Sequence, residues 1–375
     1  MNAWALPDQI RRARESIGVE VEQAAQLASV SSADLVGWET GLREPDDEEL
    51  WRLSEVYGRP VSYFFTVSGE PPVRQDFRTE RSIDPAEEWE LRRTVVAHFE
   101  ELCRSQQALE RLVDEPDRPN LIAELLARVP PLVGGHELAA LVRAELGLGQ
   151  ERIIKDMRAL LEAAGVRVFV VSFPAAGLAG TCWWHPEFGP SVLLNRRDRE
   201  SRRAFTAAHE LAHLLRPGGQ ALCGFLGEGR NEERDANQFA ASFLMPEGLI
   251  GAEADVLRQR EELLGWDTPD RSLERVARHL YVSRDALSWR MEGLDLLPKG
   301  FTSVRRSVWE RSTFYGAKRG AQWIHRVRDL GPRHVRLART AYEDGKVSLS
   351  VLARTLQIDP EQAVELVAGT AQPAA

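Results

Sequence analysis

Two histidines on one predicted helix constrain the fold of this chain more than any other feature. His209 and His213 lie in the segment HELAH, and no glycine or proline interrupts the surrounding sequence before Pro217. Because residues i and i+4 share one face of an α-helix, both imidazoles can reach one metal ion. Glu210 is placed to touch a metal-bound water without binding the metal. The alternative is an ordinary helix with two hydrogen-bonded histidines, since so short a motif also arises by chance.

A second predicted helix, stopped by a proline, supplies candidates for a third metal ligand. Catalytic zinc keeps three protein ligands and one open position for water. Glu233 lies 20 residues after His213, which suits a returning helix. Glu232 and Asp235 are rivals for the same role, and a solvated carboxylate is the alternative for each. Asn237, one turn after Glu233, can hydrogen-bond the non-metal nitrogen of a zinc-bound histidine.

These spaced motifs resemble the ImmA/IrrE metallopeptidases. The matching segments are RAFTAAHELAH at 203–213, ERDANQFAA at 233–241 running into LMP, and strand-like sequences at 165–170 and 191–195. The resemblance covers roughly residues 135 to 295. Because several motifs agree in order, it is far more specific than the histidine pair alone.

The resemblance implies a small thermolysin-like zinc fold. In that fold His209, His213 and Glu233 bind zinc, with manganese as an alternative metal, and Glu210 is the general base. It also implies a class of substrate, because members of this family cleave helix-turn-helix repressors and so release stress-response or mobile-element genes.

Residues 1–66 look like an Xre/Cro-type helix-turn-helix domain of five short helices. The pattern is carried by Ala25, Val30, Leu35, Trp38-Glu39 and the segment GLREP at 41–45. The helix that begins at Ser32 is the one expected in the major groove, and Ser32 and Arg43 are the candidates for contacting nucleic acid. The domain nevertheless holds 6 basic against 12 acidic residues. Because phosphate attraction supplies most non-specific DNA affinity, the alternative is a docking or dimerisation module.

Residues 67–134 are predicted to form a linker and a helical connector. The segment GEPP at 69–72 is typical of an exposed linker. The sequence from 87 to 128 is long, amphipathic and charged. It predicts paired helices that tie the flanking domains together or support a homodimer.

The peptidase domain is placed at 135–266. Strands predicted at 166–171, 180–184 and 191–194 form a small sheet beside the HELAH helix. An exposed edge of that sheet can bind the substrate backbone as an added strand. Trp183 and Trp184 are candidates to line the cleft, with core packing as the alternative.

Two later segments repeat the helix-turn-helix spacing. The positions Ala277, Leu280, Val282, Ser283 and Leu287 match those of the first domain, as do Ala353, Leu356, Ile358, Asp359 and Ala363. These apolar positions describe the core of the motif, so the repeats predict three-helix packing and not DNA contact. We place one repeat at 267–295, packed on the peptidase, and the other in a basic C-terminal helical domain at 296–375.

A basic stretch lies between the two repeats. Residues 296–340 hold 11 Arg and Lys against 2 acidic residues. Nucleic acid is one expected partner, with Arg305, Arg306, Arg319 and Arg326 as the candidate contacts. The alternative is a surface that docks on the chain's own acidic N-terminal domain.

Composition favours a cytoplasmic protein of two or three domains with an α+β, mostly α fold. The chain has 375 residues, of which 43% are hydrophobic. No apolar run approaches the ~20 residues that cross a bilayer, no secretion signal is expected, and no membrane partner is predicted. Three cysteines are too few for a disulfide framework, although Cys223 is a minor candidate for the open zinc position. The net charge of −9 argues against general nucleic-acid binding.

Two functions fit these features. The first is a cytoplasmic zinc endopeptidase, latent or stimulus-dependent, that cleaves a helix-turn-helix repressor in a stress-response, mobile-element or toxin–antitoxin circuit. The second is a DNA-binding transcriptional regulator or antitoxin whose metal site is sensory or structural. Glu210 favours the first, because a structural site needs no base. His185, Tyr281 and Arg284 are candidates to support the oxyanion, with structural roles as the alternative.

Overall fold

The computed structural model describes residues 5–17, 19–57, 61, 64, 85–115, 121–130, 133–171, 179–185, 187–216, 230–253, 269–312, 327 and 329–368. Helices predominate, and one three-stranded sheet accompanies them, which confirms the mostly α, α+β class. No helix in these ranges is long and apolar enough to cross a membrane. The predictions for Arg319, Arg326, Cys223 and the 67–80 linker fall outside the described residues.

The N-terminal domain contains helices α1 (Ala5–Ser16), α2 (Val21–Leu27), α3 (Ser32–Thr40) and α4 (Asp47–Tyr57). The predicted fifth helix is described only at residues 61 and 64, which have 3-10 geometry. Helix α3 begins where the Ser31 hydroxyl accepts the Asp34 N–H at 3.0 Å, a normal N-cap. A buried ion pair joins Arg14 of α1 to Glu39 of α3, with nitrogen–oxygen distances of 2.6 and 2.8 Å.

The connector forms α5 (Pro85–Leu112) and α6 (Leu121–Arg128), and two further helices, α7 (Gly135–Glu145) and α8 (Met157–Ala163), precede the sheet. Helix α8 begins at Met157 and not earlier in the preceding polar segment. The reason is Asp156, whose side chain accepts the Ala159 N–H at 2.9 Å and so fixes the helix start there.

The sheet contains β1 (Arg167–Val171), β2 (Gly180–His185) and β3 (Gly189–Asn195) in the order β1-β3-β2. Strand β3 pairs parallel to β1 and antiparallel to β2. Among the described residues β2 pairs with β3 alone, so β2 is an edge strand of this sheet.

The two faces of the sheet belong to two hydrophobic cores, as the two-residue period of a strand requires. Val168 and Cys182 lie in the core built around α9 (Glu200–Leu214) and α10 (Arg230–Leu244). Phe169 and Trp183 point the other way, into a core that includes residues of α5, the N-terminal domain and the C-terminal helices. A single layer of backbone therefore separates the two cores.

The C-terminal half contains α11 (Pro269–His279), α12 (Arg284–Gly293), α13 (Phe301–Ser312), α14 (Pro332–Glu343), α15 (Leu349–Thr355) and α16 (Pro360–Val367). Both repeats of the helix-turn-helix spacing form the same turn as the N-terminal domain. Ser29, Tyr281 and Gln357 occupy equivalent places with φ of 55°, 59° and 54°, a left-handed conformation that non-glycine residues adopt infrequently. The part of the chain that the structure describes thus contains three helix-turn-helix units of matching backbone.

Candidate metal centre

The histidine pair lies near the C-terminal end of α9, which packs on one face of the sheet. The helix buries Ala208, Leu211 and Ala212 against the sheet residues of its core. Gly180 of β2 permits this close approach, since a Cβ there would lie 2.6 Å from Cγ2 of Thr206. The small residues of α9 and the glycine of β2 thus bring the HELAH segment against the edge strand.

Helix α10, which carries Glu233, is positioned by α7. At Gly135 the two helices touch so closely that an added Cβ would lie 2.2 Å from the Asp235 carbonyl oxygen and 2.8 Å from the Phe239 nitrogen. Further along α7, the buried Arg143 donates to the Phe243 carbonyl oxygen at 2.5 Å. This guanidinium complements the negative end of the α10 dipole. Two contacts therefore fix α10 along its length.

Three side chains converge between α9 and α10. Nε2 of His209 lies 3.0 Å from Nε2 of His213 and 3.4 Å from Oε2 of Glu233. Nε2 of His213 lies 3.8 Å from Oε1 of Glu233. Atoms held ~2.1 Å from one ion in a tetrahedral site are ~3.4 Å apart, so the three donors fit a zinc ion. Within the described residues, this is the only such group of His, Cys, Asp or Glu side chains.

The rival carboxylates on α10 lie elsewhere. Glu232 is exposed. Asp235 forms an ion pair with Arg216, with a nitrogen–oxygen distance of 3.1 Å. Of the three acidic residues considered from the sequence, the structure brings Glu233 to the histidines.

Asn237 touches the outer side of the histidine pair. Its Oδ1 lies 3.2 Å from Nδ1 of His209. When Nδ1 carries the proton and donates it to this oxygen, Nε2 is unprotonated and its lone pair is directed towards Glu233 and His213. This is the tautomer that metal binding through Nε2 requires. Burial alone would lower the pKa of His209, but the carboxylates of Glu233 and Glu210 outweigh burial and raise it.

Glu210 lies beneath the histidines and is buried. Burial raises the pKa of its carboxyl group, against the opposing effect of both histidines and of a hydrogen bond from Cys182. Its Oε2 is enclosed and has no hydrogen-bond partner among the described residues. A buried carboxylate oxygen without a partner is costly, and a water held by a metal at this centre would satisfy it.

Two of the three candidates for an oxyanion donor have structural contacts. Nδ1 of His185 accepts the backbone N–H groups of Glu187 and Phe188 at 3.0 and 3.2 Å, which closes the hairpin between β2 and β3. The guanidinium of Arg284 lies 4.2 Å from the centre of the Trp309 ring. Tyr281 is about half exposed, in the turn between α11 and α12.

The nucleic-acid candidates of the N-terminal domain lie at α3. Ser32 is the first residue of the helix and is partly buried. Arg43 forms an ion pair with Asp34, and its side chain covers Gly37 so closely that a Cβ added there would lie 3.3 Å from Cδ of the arginine. The one basic candidate of this helix face is therefore directed at a carboxylate of the same domain.

The described arginines of the basic stretch also face acidic partners. Arg305 lies 3.3 Å from Asp270, and Arg306 lies 3.7 Å from Asp285. Arg333 and Arg336 of α14 pair with Glu110 and Glu115 at the C-terminal end of the connector helix. The acidic groups that pair with these four arginines lie in α5, three residues after its end, in α11 and in α12, and not in the N-terminal domain.

Trp309, which belongs to the same basic stretch, is buried, and its Nε1–H donates to Asp270 at 2.9 Å. Trp183 is likewise buried, 5.9 Å from the ring of Phe99 on the side of the sheet away from α9. Trp184 is partly buried on the α9 side. For Trp183, core packing is therefore the correct alternative, and only Trp184 remains beside the cleft.

An HExxH helix packed on a small sheet, with a returning helix that carries a glutamate, is an arrangement typical of metallopeptidases. Residues 161–292 match the peptidase family described as the IrrE N-terminal-like domain, and residues 10–64 match a helix-turn-helix family. The two matched regions, one similar to an IrrE-like peptidase domain and one to an Xre-like helix-turn-helix domain, are those that the sequence motifs predicted. No curated protein matches the chain in a sequence comparison.

Proposed function

We propose that this chain is a zinc-dependent endopeptidase. The observation that carries the proposal is the combination of three converging ligand atoms with a buried carboxylate oxygen that has no partner among the described residues. A purely structural metal site needs the ligands but gives no reason to bury a second carboxylate, Glu210, beside them. In this proposal His209, His213 and Glu233 hold the ion, and Asn237 orients His209.

The chain's own residues provide proton transfer and substrate binding. Zinc, or manganese in its place, supplies acidification of water and polarisation of the scissile carbonyl. Glu210 accepts the proton of the attacking water and delivers it to the leaving amine nitrogen. The substrate backbone binds along the outer edge of β2, since this strand pairs with β3 alone among the described residues and packs beside the metal-binding helix.

The proposed substrate is a cytoplasmic helix-turn-helix repressor. The support is the fusion itself, because an Xre-like domain on the same chain can recruit a protein of its own kind or the DNA that such a protein occupies. Cleavage would release genes of a stress-response, mobile-element or toxin–antitoxin circuit, with activity that is latent until a stimulus arrives. The connector helix α5 would support a homodimer.

The second candidate function is DNA-binding regulation with a sensory or structural metal. The N-terminal fold supports it. Its support is weaker, because Arg43 is paired with Asp34 and because Arg305 and Arg306 face acidic partners. We therefore rank DNA binding as an accessory property that recruits the peptidase.

Proteolysis of helix-turn-helix proteins from the same cell tests the proposal, with bound metal quantified in each sample. Wild type and Glu210→Gln should both bind metal, and only wild type should cleave. Glu233→Gln should lose metal, whereas Glu232→Gln, its exposed neighbour, should keep both metal and cleavage. Metal in wild type without cleavage under any stimulus would favour the regulator, and wild type without metal would reject the site.

A further inference from the structure

Strand β2 and helix α9 lie next to each other and run in the same direction. Gly180 meets Thr206, where an added Cβ would lie 2.6 Å from the threonine methyl. Two residues of a strand rise ~6.6 Å, and four residues of an α-helix rise ~6 Å. The next inward-facing residue of β2 therefore lies level with the next residue on the same face of α9. Those residues are Cys182 and Glu210.

Cys182 is completely buried and belongs to the core that surrounds α9. The thiol lies within hydrogen-bonding reach of the carboxylate of Glu210. Because Oε2 of Glu210 has no partner among the described residues, we assign Oε1 as the acceptor. One oxygen of the carboxylate is thus held by the strand, and the other is left for the metal centre.

We propose that Cys182 is a positioning residue that fixes the carboxylate of Glu210 through a thiol–Oε1 hydrogen bond and thereby directs Oε2 at the attacking water. The proposal rests on the proposed peptidase function. A thiol suits the task because it is a weak donor. It restricts the rotation of the carboxylate while competing little for the proton that Glu210 must take up.

Cys103 provides a matched control. It is also a completely buried thiol packed against the sheet, but it lies on the opposite face, 3.5 Å from Oγ of Ser191. Cys103→Ala and Cys182→Ala remove the same atom from equally buried places. Their costs in unfolding free energy should therefore be similar, and a difference in catalysis reports the contact with Glu210.

The kinetic experiment compares wild type, Cys103→Ala, Cys182→Ala and Cys182→Ser as zinc-loaded full chains on a cleaved substrate. Cys182→Ala should lower kcat ~10- to 100-fold, the range typical of partners that orient residues at a metal site, while KM and zinc content stay near wild type. Cys182→Ser keeps a donor and should recover most of kcat. Equal kcat values for the two alanine variants, or a serine variant as slow as Cys182→Ala, would overturn the proposal.

A spectroscopic readout separates this inference from the peptidase function. The infrared S–H stretching band of Cys182, assigned by difference from Cys182→Ala, should shift when Glu210 becomes Gln, whereas the Cys103 band should not move. An unshifted Cys182 band would overturn the hydrogen bond whatever the activity. A shifted band in a wild-type protein that cleaves nothing would support the hydrogen bond and reject the peptidase function.

Discussion

Gly135→Ala should push α10 away from α7 and weaken both the fold and the metal centre. The added methyl would lie 2.2 Å from the Asp235 carbonyl oxygen and 2.8 Å from the Phe239 nitrogen, whereas ordinary non-bonded contacts begin at ~3.5 Å. Because both obstructing atoms are backbone, no side-chain rotation relieves the overlap, and α10 must shift by ~1 Å. Overpacking of this kind costs ~1–3 kcal/mol, only partly offset by the ~1 kcal/mol advantage of alanine in a helix.

The shift reaches the proposed metal site because Glu233 lies on the same turn of α10 as Asp235. A displaced ligand should lower zinc affinity ~10- to 100-fold, as the loss of an orienting partner does. Gly134→Ala is the matched control, since nothing among the described residues lies within 4 Å of an added Cβ there. Urea unfolding of the metal-free proteins and zinc competition with a chelator measure the two effects. Equal stability and equal affinity of the two variants would refute the close α7–α10 contact.

Three further changes test other parts of the structure. Burial lowers the pKa of His334 from 6.5 to about 4. As the pH falls through this range, the unfolded chain binds a proton at this histidine and the folded chain does not. The free energy of unfolding should therefore decrease by ~3 kcal/mol on going from pH 6.5 down to pH 4. His334→Leu should flatten this part of the urea-midpoint profile, and a profile as steep as wild type would contradict the assignment. Glu39→Ala removes the carboxylate to which the buried Arg14 donates two hydrogen bonds. It should lower the free energy of unfolding of the N-terminal domain by ~3–5 kcal/mol, measured by thermal unfolding. A decrease below ~1 kcal/mol would show that the ion pair is solvated. Asn237→Ala should weaken zinc binding ~10-fold or more by chelator competition, and unchanged binding would exclude an orienting role.

Much of the site architecture could be predicted from the sequence because it depends on local periodicity. The helical spacing of His209 and His213 places both on one face of α9, and the strands lie within one or two residues of their predicted ends. The turns of the three helix-turn-helix units were also predictable, since the apolar positions of the motif specify how its helices pack.

The remaining features depend on contacts between distant segments. Helical spacing alone did not separate Glu233 from Glu232 and Asp235; the family resemblance singled it out, and the packing of α10 on α7, which a single glycine permits, accounts for its position. The meeting of Cys182 with Glu210 depends on the register between a strand and a helix, and the sequence shows only a small apolar residue there. A run of basic residues in the sequence likewise does not show which acidic residues will pair with it. In the structure Arg305 and Arg306 pair with carboxylates of neighbouring helices.

The two-faced sheet has a mechanical consequence. Cys182 and Trp183 are consecutive residues of one pleated strand, so the first reaches the α9 core and the second reaches the ring of Phe99 on α5. Neither side chain can be displaced without turning the peptide that joins them. A displacement of the connector helix is therefore expected to move the backbone near Glu210 through a single peptide group, and by reciprocity a ligand that orders the proposed metal site should oppose that displacement.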